Sequence, residues 1–151
     1  MAIISNAVTI ADAGAFSVGL GSMVLIKTIT ASASATLSFV HGTDGVVLDS
    51  TYPIYKFEFI NIHSSANSQF TFNMSTDGGS NYNVAKTTTY FRSIHNESNA
   101  TALIGYETAN DLAQGTGFKT LCDDIGADAD QNANGTFNLF NPSSTTFVKH
   151  F

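Results

Sequence analysis

Tyr55-Lys56-Phe57-Glu58-Phe59-Ile60-Asn61-Ile62 decides the fold class. Its rings fall on every second residue, with Lys56 and Glu58 between them, which is the period of a strand and not of a helix. The pattern predicts a half-buried strand, with Tyr55, Phe57 and Phe59 turned inward, that becomes buried on both faces towards Ile60 and Ile62. Gln69 to Ser75 repeats the device: Phe70, Phe72 and Met74 point inward, and Thr71, Asn73 and Ser75 outward. Asp77-Gly78-Gly79 follows as a turn, since these residues tolerate positive φ.

Further strands are expected over residues 87–95, rich in β-branched and aromatic side chains, and over 23–30, 36–41, 136–140 and 145–151. Phe137, Leu139 and Phe147 are the inward groups of the last two. His41-Gly42-Thr43-Asp44-Gly45 and Asn141-Pro142-Ser143-Ser144 read as turns, and both prolines, Pro53 and Pro142, avoid strand interiors. Helix signals are weak. Residues 100–113 could hold one short helix, but Gly105 and β-branched residues oppose it, and 95–117 reads as an irregular excursion. About eight or nine strands, with turns roughly every 8–12 residues, predict an all-β fold: an antiparallel, jelly-roll-like β-sandwich over residues 22–151. Residues 1–21, small and apolar with Asp12 their one charge, are expected to be an N-terminal arm that needs a surface to lie on.

Composition agrees with this class. Ser, Thr, Asn and Gly make up 59 of 151 residues, against 18 charged ones, too few for the solvated faces of a helical bundle. Twelve Phe and five Tyr supply more apolar area than disordered chains carry. A net charge of -6 with six basic residues argues against a nucleic-acid partner. The longest apolar run, Met23-Val24-Leu25-Ile26, is far too short to cross a bilayer, and the first residues have no basic region of a secretory signal. A membrane partner is therefore not expected. Four Asn-x-Ser/Thr sequons, at Asn73, Asn96, Asn99 and Asn134, are what chance gives in so Asn-, Ser- and Thr-rich a chain.

Chemistry-bearing candidates are few. Cys122 stands alone in a strand-like run with no local base, as an inert, packed thiol does. His41, His63, His95 and His150 form no pair at metal-binding spacing, no Gly-x-Ser-x-Gly elbow occurs, and no glycine-rich loop precedes a lysine and a helix. Glu58 is expected to pair with a cross-strand cation. Tyr82, Tyr90 and Tyr106 are the rings expected at the surface. The reading is accordingly not an enzyme. The suggestive stretch is the acidic loop 123–135, where Asp128, Asp130, Asn132 and Asn134 place short oxygen-bearing side chains on alternate residues. Asp130 to Gly135 matches the opening of a calcium loop, but Asn141 stands where the bidentate Glu belongs. No cofactor is expected beyond a structural calcium there; the competing reading is a solvated loop bonding its own backbone.

Three stretches carry a resemblance: residues 52–63, 74–83 and 139–151, with residues 7–16 fitting the same group. They resemble small uncharacterised virion-associated proteins of marine tailed bacteriophages. The resemblance covers most of the chain. It implies a virion location and a structural role, with copies of the chain itself and other virion proteins as partners. Such relatives continue past the equivalent of Phe151 with further strands, which implies either a fragment of a longer protein or an open edge completed by another subunit. The alternative is a carbohydrate- or receptor-binding jelly-roll module for a host-surface glycan, with calcium shaping the site.

Overall fold

A computed structural model describes residues 23–151 in full and, of the first 22, the backbone of residues 3–5, 8–12 and 15–16. The chain divides into two compact units, Met1–Val47 and Leu48–Phe151.

In the first unit, β1 (Ile3–Ser5), β2 (Val8–Asp12) and β3 (Ala15–Phe16) form an antiparallel meander with β2 in the middle. The expected arm, residues 1–21, otherwise lies outside the described residues. Residues 23–30 and 36–41 form no strand, contrary to expectation. The continuous apolar run at Met23 gives neither face a polar complement, so nothing local sets a register. The expected turn after them is present. Gly42, Asp44 and Gly45 take positive φ, and Gly42 N donates to Val46 O at 2.9 Å.

The second unit contains eight strands among the described residues: β4 (Ile54–Ile62), β5 (Ser68–Phe72), β6 (Lys86–Thr88), β7 (Phe91–His95), β8 (Ala102–Tyr106), β9 (Leu112–Gly115), β10 (Lys119–Ile125) and β11 (Ala133–Phe140). All pair antiparallel, and the pairs are nested: β7 with β8, β6 with β9, β5 with β10, and β4 with β11. The fold is thus all-β and antiparallel.

Strand β4 behaves as its alternation dictates over most of its length. Tyr55 is buried, Phe57 and Phe59 are half-buried, and Lys56 and Glu58 are exposed. Opposite them, Leu139 faces Tyr55 and Phe137 faces Phe57. The two-sided burial expected further on does not occur: Ile60 is 71% exposed. It continues the outward series of Lys56 and Glu58, and only one face of β4 is covered. Asn61 then turns to φ 53°, where the register slips opposite Ala133 and Gly135.

Rings join the ribbons. Phe59 meets Phe70 at 4.8 Å between centroids, and Phe72 meets Phe137 at 4.6 Å. Phe137 also touches Phe57 and Phe151. The interior is thin: Tyr55, Ile125 and Leu139 are the buried apolar side chains of this unit among the described residues. Tyr55 adds a polar anchor, its hydroxyl donating to Asp49 O at 2.9 Å and accepting from Asp49 N at 3.0 Å.

Two segments depart from expectation. Residues 95–117 are not an irregular excursion; they carry β8, one 3-10 turn (Thr108–Asn110) and β9. The cause is turn chemistry: Asn96 Oδ1 accepts from Thr101 N at 3.0 Å, and Asn99 takes φ 56°, which closes β7 onto β8. Residues 145–151 make no strand beyond one bridge, Phe140 to His150. Ser144 Oγ accepts from Thr146 N and Phe147 N, which curls the chain and leaves Phe147 72% exposed rather than inward. Phe151 instead packs on Phe72 and Phe137.

The Asp77 turn forms as predicted, with Gly78 and Gly79 at positive φ. Asp77 Oδ1 accepts from Ser75 Oγ at 2.7 Å and Asn81 N at 2.8 Å, and Oδ2 accepts from Asn81 Nδ2 at 2.6 Å. The Ser75 hydroxyl, followed by the Asn81 groups, holds the carboxyl down from 3.8 to about 2. Because the folded pKa is depressed, the turn's contribution is present above pH 3.8 and is lost as pH falls through about 2. Carboxyl-detected NMR should give an Asp77 midpoint near 2, rising in Asn81→Ala; a wild-type midpoint at 3.8 would disprove the geometry.

Candidate functional site

The 123–135 loop places its four candidate ligands, Asp128, Asp130, Asn132 and Asn134, as follows. Asp128 and Asp130 lie exposed in a turn closed by Gln131 N donating to Asp128 O at 2.9 Å. Asn134 Oδ1 accepts from Asn61 N at 2.8 Å, which secures the bulge in β4, and Asn134 Nδ2 donates to Asn132 Oδ1 at 2.6 Å. His63 Nδ1 donates to Gln131 O at 2.8 Å. The Asn132 and Asn134 side-chain oxygens thus accept hydrogen bonds from the chain itself, and no group of three or more His, Cys, Asp or Glu is placed to share an ion among the described residues.

Asp123 leaves that loop altogether. It sits half-buried on β10, accepting from Gln69 Nε2 at 2.6 Å and from Asn110 Nδ2 at 2.9 Å. Arg92, from β7, lies 3.7 Å from the same carboxylate and 2.7 Å from Glu107. Buried Lys119 donates to Asn110 O and stands 4.6 Å over the Tyr90 ring. This network was illegible in the sequence, because its members come from β5, β7, β10 and the 3-10 turn. Each polar group has a partner, so it reads as a brace between strands rather than an open site.

The remaining candidates are placed as follows. Glu58 pairs with Lys56 of its own strand at 2.7 Å, not with a cross-strand cation, since both project from the outer face two residues apart. Cys122 lies half-buried in β10, and burial, with Asp123 and Asp124 nearby, pushes its thiol up, away from the reactive thiolate. Tyr106 is exposed as expected, whereas Tyr82 and Tyr90 are half-buried.

The most distinctive surface is one face of the β7–β8 hairpin. Register puts Phe91 opposite Tyr106, Ser93 opposite Ile104 and His95 opposite Ala102, and all six are exposed. Phe91 is 70% exposed and Ile104 85%. The Phe91 and Tyr106 rings lie 5.1 Å apart as a cross-strand pair, and the Tyr106 hydroxyl donates to Asp111. The face carries neither Asp, Glu, Lys nor Arg, while Arg92 and Ile94 point to the opposite, half-buried side. A large apolar patch with no charge is a contact surface more often than a catalytic one.

No described helix is long and apolar enough to cross a membrane. Comparison with protein-family models, curated proteins and solved structures finds no match for the chain.

Proposed function

We propose that this chain is a virion structural protein of a tailed bacteriophage, a capsid-decorating or tail- or fibre-associated component that assembles with its own copies or docks on a larger viral shell. In this reading the second unit is a jelly-roll-like sandwich. The four nested antiparallel pairs support it, because a jelly roll is one long double ribbon folded over itself. The Phe59–Phe70 and Phe72–Phe137 contacts between ribbons support facing sheets. Jelly rolls recur in viral capsids.

The observation that carries assembly is the uncharged apolar face of the β7–β8 hairpin. Phe91, Ile104 and Tyr106 together leave on the order of 300–500 Å² open to water, taking roughly 150–250 Å² for each side chain. That is about half of the roughly 800 Å² per partner that a stable interface buries. A second copy is the occupant the charges favour. Chains of net charge -6 repel one another, and this face lets two copies meet without apposing carboxylates. Hairpin faces can stack as sheets do, with open strand edges adding main-chain bonds.

Size-exclusion chromatography with light scattering on the full chain should give a symmetric multimer that persists from low to moderate salt, since apolar contacts are little screened. A monomer at micromolar concentration overturns the proposal. A monomer that binds glycans only with calcium present replaces it with the receptor-binding reading.

A further inference from the structure

Lys86, at the start of β6, is 4% exposed, and no carboxylate forms an ion pair with it among the described residues. Its Nζ meets Asn73 Oδ1 at 2.5 Å and Val84 O at 2.8 Å. Asn73, expected to point outward, is instead half-buried with its amide held on every side. Nδ2 donates to Tyr82 O at 2.7 Å and to Thr116 O at 3.0 Å, while Oδ1 also accepts from Met74 N at 2.8 Å. A buried ammonium that meets only neutral oxygens is costly, and the cost disappears if the nitrogen becomes an amide.

We propose that Lys86 and Asn73 join in an intramolecular isopeptide bond. Burial lowers the amine's pKa, so the neutral, nucleophilic form is reached more readily than on an exposed lysine, its proton passing to solvent. The Nζ lone pair attacks Asn73 Cγ. The Met74 N–H, already on Oδ1, stabilises the oxygen as negative charge develops there. The Cγ–Nδ2 bond breaks, Nδ2 takes a proton from the attacking nitrogen, and one ammonia leaves. The Nζ–Cγ amide bond replaces the side-chain amide of Asn73, and neither oxidant nor cofactor is required. The hydrogen bonds to Tyr82 and Thr116 fix the amide plane, so the reacting groups are held in place before the reaction. The product ties the end of β5 covalently to β6, across the Asp77 turn. Such a tie suits a chain with few buried side chains, and it holds whether or not the virion reading does.

The test is intact-mass spectrometry of the purified full chain, followed by proteolysis and fragmentation. The expected result is a mass below that of the sequence by one ammonia, with a branched peptide joining the segments that contain Asn73 and Lys86. Lys86→Arg and Asn73→Ala should each restore the full mass. Recovery of Lys86 unlinked in the digested wild-type chain overturns the proposal. A loss of ammonia with Lys86 free is imide formation at an asparagine and overturns it equally. Because the wild-type digest decides, a variant that fails to fold leaves the result intact.

Discussion

Phe137→Ala is expected to cost the Leu48–Phe151 unit about 3 kcal/mol, at the low end of the range for removing a core phenylalanine because the ring is half-buried. The size of the effect follows from its position. Phe137 lies on β11, yet touches Phe57 of β4, Phe72 of β5 and Phe151 from the chain end. Removing it severs three ring contacts, each worth roughly 0.5–1.5 kcal/mol beyond area, and opens a gap that a thin interior cannot refill. With three buried apolar side chains in the unit, such a loss is a large share of the stability a small domain holds. Phe147→Ala provides the contrast. That ring is 72% exposed, and its removal should move stability by no more than about 0.5 kcal/mol. Urea unfolding of the two variants under identical conditions checks the pair. Equal midpoints would show that Phe137 is not the junction between ribbons.

The second large effect concerns assembly. Ile104 is 85% exposed, so Ile104→Glu should leave the isolated fold nearly unchanged. In the proposed contact the same side chain is covered, and a carboxylate buried there without a partner costs several kcal/mol. A symmetric contact brings one such charge from each copy. At about 1.4 kcal/mol for each factor of ten, the dissociation constant should rise by about 100-fold or more. Val148→Glu, at a side chain 79% exposed and outside the hairpin, should leave assembly unchanged. Sedimentation velocity across a dilution series distinguishes them. Dissociation caused by Val148→Glu and not by Ile104→Glu would move the contact off the hairpin.

Where the structure departs from the local pattern, the cause is shared. Apolar residues in a strand-like run point Ile60 and Phe147 inward, but one face of β4 stays open and Ser144 curls the chain at Phe147, leaving that ring outside. Asn134 lies in a run of oxygens on alternate residues that resembles a calcium loop. The structure adds a bond that no local pattern encodes, from Asn61 N of a distant strand to Asn134 Oδ1. The Asn96–Asn99 turn was legible in principle, since asparagines favour left-handed backbone, but weak strand signals on either side concealed the hairpin it closes.

Residue pattern alone specifies the antiparallel all-β class, the inward set Tyr55, Phe57 and Phe59, and the turns at Asp77 and Gly42. Side-chain alternation and positive-φ chemistry act over a few residues and can be read there. The nesting of the strand pairs, the Arg92–Glu107–Asp123 brace, the seat of Lys86 against Asn73 and the uncharged face of Phe91 and Ile104 arise only once the folded unit is packed. Each depends on which distant strands become neighbours and which faces remain uncovered, and that choice is made by packing the whole unit at once.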